Sequence, residues 1–418
     1  MASFNSLPSE TLIGILAYLS CPDLASTSLV SHRLHRVSEP LLYTAPCLRK
    51  TSEMVPRAIS SSLEQLLRTL LTPGHETLTS YVRSLHVELD NPAAEPAAIF
   101  SRNSVPRITS ITELSARNQL ESQGAQLMLL LDLLPGLQVL HLNPPLGRSS
   151  FTRLWHDTAT VPRGLESLRE FHIPPLPETD SDTSDGISPS TLLLFMKLPR
   201  IHRIEIPSVD RHYIPVNPLV AAAATSRVTH LRLSHALTSA WTLTSVLRVP
   251  IALTHFSFSA VSDSNVNLPA IMGALVHIRQ SLRCLHLDFR DAALTSDDEG
   301  EWWVPHEEGS LRYWPVLRTL SCSLMPLLGK GQLDEAVHLV DVLPVSLREL
   351  EVLQDWHWRV SEEVDEVVQM LERKEYVVPQ LEKLAVVMVW GRTEGLVQRL
   401  VAACELAGVS LVEESFSW

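Results

Sequence analysis

The chain has 418 residues, of which 45 % are apolar and 19 % are charged, so it can form a sizeable core and is not wholly disordered. Its 34 Lys and Arg residues against 47 Asp and Glu residues give a net charge of −13, which argues against a nucleic-acid-binding protein. With only 15 glycines beside 28 prolines, the composition also argues against an enzyme built on glycine-rich phosphate loops.

The segments that would target a protein to a membrane or for secretion are not visible. The first ten residues have neither a basic region nor an apolar run, so we expect no secretory signal. The most apolar stretches, 127–134 and 192–198, are too short to cross a bilayer. The five scattered cysteines form no Cys-x-x-Cys pair, so we expect free thiols and no zinc site. We therefore expect a soluble protein of the cytoplasm or nucleus.

Residues 7–43 predict three short amphipathic helices. Their apolar positions, in chain order, are Leu12, Ile13, Ile15, Leu16 and Leu19; Leu24, Leu29 and Val30; and Leu34, Val37 and Leu41. Pro22 is expected to end the first helix and Asp23 to cap the second. So small a unit has more apolar surface than its own helices can cover, and it therefore usually needs a partner.

The order of motifs in this segment resembles the F-box family. The motifs are Leu7-Pro8, the acidic Glu10, the apolar helix at 12–19, Pro22-Asp23-Leu24, and Ser-Leu-Val-Ser at 28–31. The resemblance implies docking onto a Skp-family adaptor and, through it, onto a cullin-RING ubiquitin ligase. Residues expected to divide between the adaptor interface and the module's own core are Leu7, Pro8, Ile13, Ile15, Leu16, Leu19, Leu24, Leu29, Val30 and Leu34. The alternative is that the three helices only cap the end of a larger domain.

The remainder of the chain repeats the frame apolar-x-x-apolar-x-apolar. Ten such segments start at Val82, Leu137, Leu168, Ile201, Val228, Leu253, Leu282, Leu317, Leu347 and Leu381. After a first gap of 55 residues, which could hide a further unit near Ile108 and Ile111, the spacing is 25–35 residues. Helix-compatible stretches at 268–278, 332–343, 361–374 and 393–407 lie between the segments.

A short strand followed by a returning helix, repeated at this period, predicts a parallel sheet with right-handed crossovers. The arrangement resembles a leucine-rich-repeat solenoid, which implies strands on the concave side and helices on the convex side. The asparagine that usually follows each such strand is absent, so we expect an irregular solenoid. We therefore predict an α/β protein with an F-box at 1–45, a helical connection at 46–80 that includes a helix around Leu66, and the repeat region at 81–418.

Two acidic segments interrupt the repeats. Residues 178–190 (ETDSDTSDGISPS) are expected to form a mobile loop, either a tolerated insertion or a phosphorylation-sensitive element. Residues 296–309 are also acidic but contain Trp302 and Trp303. These two, with Trp356 and Trp358, have polar neighbours and are candidates for a substrate-binding surface.

The polar positions of the frame predict a second candidate surface. Six of the 17 histidines would lie on one strand face, and His141 and His172 would be on neighbouring strands about 5 Å apart. Together with Arg232 and His286, they could form a hydrogen-bonding, pH-responsive recognition strip. Alternatively, histidine is simply an acceptable half-exposed strand residue.

No catalytic constellation is visible in the sequence. Nucleotide-binding glycine loops, a Gly-x-Ser-x-Gly elbow and a His-Glu-x-x-His helix are absent, and Cys284 and Cys322 fall within strand frames. We therefore expect a non-catalytic substrate receptor of an SCF-type ubiquitin ligase, without cofactor, metal, nucleic acid or membrane. The alternative is a non-catalytic repeat scaffold that recruits no ligase.

Overall fold

The computed structural model describes most of the repeat core and all three N-terminal helices. The described residues are 7–48, 58–75, 77–88, 123–143, 162–174, 187, 189–207, 224–236, 240–260, 268–289, 310–328, 337–353, 360–388 and 394–415. They form two compact units, Met1–Pro174 with Leu198–Ile201, and Pro175–Lys197 with His202–Trp418.

The first unit begins with helices and continues with short parallel strands. Its helices are α1 (Ser9–Leu16), α2 (Cys21–Ser28), α3 (His32–Thr44), α4 (Ala58–Leu71), α5 (Leu78–Tyr81) and α6 (Gln123–Leu133). Its strands are β1 (Cys47–Leu48), β2 (Ser84–Glu88), β3 (Val139–Asn143) and β4 (Glu170–His172). A 3-10 helix at Arg163–Ser167 precedes β4.

Serine side chains cap the second and third helices. Ser20 Oγ accepts a hydrogen bond from the Asp23 backbone N–H at 3.4 Å, and Ser31 Oγ accepts one from Leu34 N–H at 3.2 Å. The expectation that Pro22 ends the first helix and that Asp23 caps the second is wrong. The first helix already ends at Leu16, and Pro22 lies in the first turn of α2, where its missing N–H costs no helical hydrogen bond.

The four strands of the first unit pair in parallel and in chain order. His86, His141 and His172 occupy the same register position on β2, β3 and β4, and the buried Leu85, Leu140 and Phe171 precede them. Strand β1, which lies in the predicted helical connection, pairs with β2. It was not predicted because two residues are too short to show an alternating pattern.

The second unit repeats the same strand and helix pattern. Its strands are β5 (Arg203–Ile206), β6 (His230–Ala236), β7 (His255–Ala260), β8 (Cys284–Asp288), β9 (Thr319–Cys322), β10 (Glu349–Leu353), β11 (Lys383–Met388) and β12 (Ser410–Ser415). Its helices are α7 (Pro189–Met196), α8 (Ala240–Leu247), α9 (Leu268–Leu275), α10 (Met325–Leu328), α11 (Leu339–Val342), α12 (Val360–Glu372), α13 (Lys374–Val377) and α14 (Glu394–Ala407). Two 3-10 helices lie at Val276–Ile278 and Leu311–Tyr313.

All ten predicted frames form strands, and the first apolar residue of each frame is buried. The strands of the second unit also pair in parallel, and the middle apolar residues share one register row, for example Phe256, Leu285 and Leu320. The strand β12 was not predicted because Gly408 and Glu413 replace the first and last apolar residues of the frame.

A single backbone carbonyl at the start of most frames links one repeat to the next. The Thr254 carbonyl accepts hydrogen bonds from both Arg283 N–H (2.8 Å) and Cys284 N–H (3.0 Å). The Arg283 carbonyl accepts from Arg318 and Thr319 in the same way. This repeated pair of bonds holds the strands in register without the side-chain ladder of asparagines that a regular solenoid uses.

The helices pack side by side on the buried side of the strands. Contacts join α8 to α9 and α12 to α14 in the second unit, and α4 to α6 in the first. The predicted helices at 268–278, 361–374 and 393–407 are confirmed, as is the helix containing Leu66, whereas the described part of 332–343 is helical only over Leu339–Val342. The predicted fold class, N-terminal helices followed by parallel β and helix repeats, is therefore confirmed.

Several predicted features lie outside the described residues. These are Ile108, Ile111, most of the acidic segment 178–190, the segment 296–309, and Trp302, Trp303, Trp356 and Trp358. At the end of the first acidic segment, Ile187 is buried and α7 begins at Pro189, so these residues do not belong to a loop. No helix within the described residues is long and apolar enough to cross a membrane.

Candidate adaptor-binding and recognition surfaces

The three N-terminal helices enclose a small core of their own. Leu12, Leu16, Leu24 and Leu34 are buried together, one or two from each helix. Leu7, Val37, Leu41 and Leu42 are partly buried against this cluster. The guanidinium of Arg33 donates to the Leu7 carbonyl, which ties the segment before α1 to α3. The helices therefore need no further element to close their interior.

The same helices leave six large apolar side chains uncovered. The exposed fractions are 44 % for Ile13, 42 % for Ile15, 92 % for Tyr18, 37 % for Leu19, 87 % for Leu29 and 73 % for Val30. Ile13 and Ile15 flank the buried stripe of α1, because successive residues of a helix are rotated by about 100°. This concentration of apolar surface on so short a segment is typical of a docking site.

The structure divides the ten predicted adaptor-binding residues into two groups. Leu16, Leu24 and Leu34 are buried in the module's core and are not available to a partner, and Leu7 is half-buried. Pro8, Ile13, Ile15, Leu19, Leu29 and Val30 are exposed. Sequence reasoning missed Tyr18, although the pattern of buried positions four residues apart would have placed it opposite Leu12 and Leu16.

The end of the third helix joins the first strands. Helix α3 contacts α5, and the Thr44 carbonyl accepts a hydrogen bond from Arg83 N–H at 2.9 Å. The Pro46 carbonyl accepts from His86 N–H at 3.1 Å, next to the pairing of β1 with β2. The contacts that join the module to the repeats thus include the end of α3, whereas the exposed apolar residues lie on α1 and in the turns after α1 and α2.

The polar face of the first unit's strands carries three stacked histidines. Ring centroids are 5.6 Å apart for His86 and His141 and 4.6 Å apart for His141 and His172. His172 Nε2 lies 3.1 Å from the Glu170 carboxylate. The expected proximity of His141 and His172 is confirmed, and both side chains are half-buried.

In the second unit, Arg232 and His286 lie on the corresponding polar register row. Arg232 is exposed, with its Nε donating to Ser234 Oγ at 3.2 Å, and His286 is half-buried. Ser257 separates the two in the register of β6, β7 and β8. The predicted recognition strip therefore has two residues on the first unit, His141 and His172, and two on the second, Arg232 and His286. The tryptophan candidates lie outside the described residues.

A second histidine pair, His230 and His255, lies two register rows earlier on the same face of β6 and β7. Thr254 Oγ1 lies 2.9 Å from the Thr229 carbonyl oxygen and 2.8 Å from His255 Nδ1. Burial, and then the positive charges of Arg283 and Arg203, lower the pKa of His255.

The cysteines of the repeats are held as thiols rather than as reactive thiolates. Burial raises the pKa of Cys404 to about 11, and complete burial raises the pKa of Cys322 further. Burial also raises the pKa of Cys284. Within the described residues, no three His, Cys, Asp or Glu side chains are grouped so that they could hold a metal ion.

Comparison with protein families identifies the N-terminal segment. Residues 4–49 match the family described as F-box-like. No curated protein matches the chain. The match covers all three helices and β1, and it indicates binding to a Skp-type adaptor in general. The chain therefore contains an F-box-like domain, and it is followed by an α/β repeat region.

Proposed function

We propose that this protein is the substrate-recognition subunit of an SCF-type ubiquitin ligase. The observation that carries the proposal is the apolar surface of Ile13, Ile15, Tyr18, Leu19, Leu29 and Val30 on a module whose own core is already closed. The adaptor would bury this surface, and the adaptor would in turn attach the chain to a cullin and a RING subunit.

In this proposal the chain is not an enzyme. It binds a target protein and holds it near the ubiquitin-conjugating enzyme. This proximity raises the rate at which ubiquitin is transferred to the target. The polar strand faces, with His141, His172, Arg232 and His286, are the proposed surfaces for the target. The tryptophans at 302, 303, 356 and 358 are further candidates. The assembly would act in the cytoplasm or nucleus.

One observation favours the alternative of a scaffold without a ligase. The end of α3 and the strand β1 cover the edge of β2, as a solenoid cap would. A cap, however, stabilises the repeats only through residues that it buries against them. Leu29 and Val30 are exposed and therefore cover no apolar surface of the repeats. The two functions therefore differ in whether this surface binds a partner.

A pulldown with a purified Skp-family adaptor tests the proposal. The wild-type full chain is expected to bind, and Leu29→Asp with Val30→Asp is expected to abolish binding because two charges would enter an apolar interface. The matched control is Tyr376→Ser with Leu406→Asp, two exposed apolar residues of the second unit, which should bind as the wild type does. Leu7→Ala with Pro8→Ala should also weaken binding.

The folding of each variant is checked by circular dichroism, because Leu7 is half-buried and its loss also loosens the module's core. Leu29 and Val30 are exposed, so their variants should retain the wild-type melting temperature. Absence of wild-type binding to any Skp-family adaptor would contradict the proposal and favour the scaffold.

A further inference from the structure

Three arginines occupy one register position on three neighbouring strands of the second unit. Arg283, Arg318 and Arg348 immediately precede β8, β9 and β10. The Arg283 carbonyl accepts from Arg318 N–H at 2.8 Å, and the Arg318 carbonyl accepts from Arg348 N–H at 2.8 Å. Because neighbouring strands are spaced by about 4.8 Å, the three side chains start from a straight row roughly 10 Å long. We call these three residues the arginine row.

The side chains of the arginine row are exposed and incompletely neutralised. All three are exposed, and Arg348 lies 3.7 Å from Glu382, which continues the row on the next strand. Among the described residues, Arg283 and Arg318 have no ion-pair partner. Glu349, which follows Arg348 in the chain, is in register with Lys383, and its charge acts on Cys284 together with those of Arg283 and Arg318, so one carboxylate lies among three arginines. The positive field extends to β7, where Arg283 contributes to the lowered pKa of His255.

A local excess of positive charge is unexpected on a chain with a net charge of −13. The positive charges of neighbouring exposed arginines repel each other. A bound anion relieves this repulsion and accepts bidentate hydrogen bonds from the guanidinium groups. We propose that the arginine row binds a segment of a partner protein that is rich in Asp and Glu.

The row geometry favours several carboxylates over one phosphate. A single phosphate is best held by donors that converge on one point, whereas the backbones of these arginines are fixed side by side on successive strands. Carboxylates distributed along a peptide can each meet one guanidinium. The identification of the segment as part of the ubiquitination target rests on the proposed function; binding at the row itself does not.

The test uses the full-length chain and a fluorescein-labelled dodecapeptide of alternating Glu and Ser, measured by fluorescence anisotropy. The wild type is expected to bind with an affinity that falls as salt rises. The triple variant Arg283→Gln, Arg318→Gln, Arg348→Gln should lose about tenfold or more, because each exposed charge pair contributes a factor of roughly 1.5 to 5.

The matched control is Arg248→Gln, Arg373→Gln, Arg399→Gln, which changes the net charge equally at exposed positions away from the strands, in the turns after α8 and α12 and on α14. It should keep wild-type affinity. A charge-reversed triple variant, Arg283→Glu, Arg318→Glu, Arg348→Glu, should bind a Lys and Ser peptide instead, and circular dichroism checks that each variant is folded.

Equal losses in the arginine-row variant and the control would overturn the proposal, since they would indicate a non-specific effect of net charge. A phosphoserine and Ser peptide of the same length that binds more tightly than the Glu peptide would overturn the assignment to carboxylates. The peptide-binding measurements contain no adaptor. A negative result in them therefore leaves the adaptor pulldown unaffected, and a negative pulldown leaves the peptide-binding result unaffected.

Discussion

The imidazole rings of His230 and His255 stack face to face, with centroids 4.0 Å apart and planes inclined by only 11°. Each ring is held by the threonine before it, since Thr229 Oγ1 and Thr254 Oγ1 lie 2.9 and 2.8 Å from the respective Nδ1 atoms. A proton gained by His255 would add a positive charge to a half-buried ring that lies against a neighbouring imidazole and near Arg283 and Arg203.

This arrangement predicts that the protein loses stability as the pH falls below about 6.5. Because the pKa of His255 is lowered from the ordinary value of 6.5 in the folded state, the unfolded chain binds the proton more tightly below that pH. Stability therefore decreases with acidification, and His255→Gln should make this decrease smaller. Urea unfolding at pH 7.5 and 5.5 measures the effect; an unchanged pH dependence in the variant would contradict it.

The N-terminal core predicts losses of stability of different size for substitutions at two adjacent residues. Leu16→Ala should destabilise the helical module by about 2–5 kcal/mol, because it leaves a cavity among Leu12, Leu24 and Leu34. Ile15→Ala removes a side chain that is 42 % exposed and lies outside the buried cluster, so it should destabilise the module less, by about 1 kcal/mol. Hydrogen exchange over residues 9–44 measures both.

In the adaptor pulldown, the two variants should weaken binding for different reasons. Leu16→Ala loosens the core of the module, whereas Ile15→Ala removes part of the exposed apolar surface. Ile15→Ala should weaken binding while protection from exchange stays at the wild-type level. If Ile15→Ala instead lowered protection as strongly as Leu16→Ala, the assignment of Leu16 to the core and Ile15 to the surface would be wrong.

Two glycines should respond oppositely to alanine. A Cβ at Gly164 would lie 2.0 Å from the backbone oxygen of Leu131, so Gly164→Ala must displace the 3-10 helix from α6 and strongly destabilise the first unit. At Gly273, on α9, a Cβ meets nothing within 4 Å. Gly273→Ala should therefore raise stability by about 0.5–1 kcal/mol. Thermal unfolding compares the two, and a stable Gly164→Ala variant would contradict the close approach.

Thiol labelling should separate the cysteines by position. Cys21 is exposed, whereas Cys322 and Cys404 are buried and have raised pKa values, so both their access and their thiolate fraction are low. Iodoacetamide at pH 7.5 should modify Cys21 within the native protein, and the two buried thiols only after denaturation. Peptide mapping by mass spectrometry identifies the modified sites. Native labelling of Cys322 at the rate of Cys21 would contradict the described packing.

The arrangement of strands was largely predictable because it depends on a local pattern. An apolar residue at the first, fourth and sixth positions of a short segment reports which face is buried, and all ten frames became strands. The short strand β1 and the atypical β12 lack that signal, and pairing with a neighbour decides them. The cap of α2 at Ser20 was missed for a related reason, since Pro22 fits both the end of one helix and the start of the next.

The amino-acid sequence alone determined that the N-terminus is an F-box-like, amphipathic segment and that strands and helices alternate after it, because both depend on spacing along the chain. It did not determine which of Ile15, Leu16, Leu19 and Leu24 form the core and which remain exposed, because that depends on how three helices pack. The repeated frame gives Arg283, Arg318 and Arg348 the same position after its first apolar residue, but only the tertiary structure aligned them in space, since hydrogen bonds between neighbouring strands set their register.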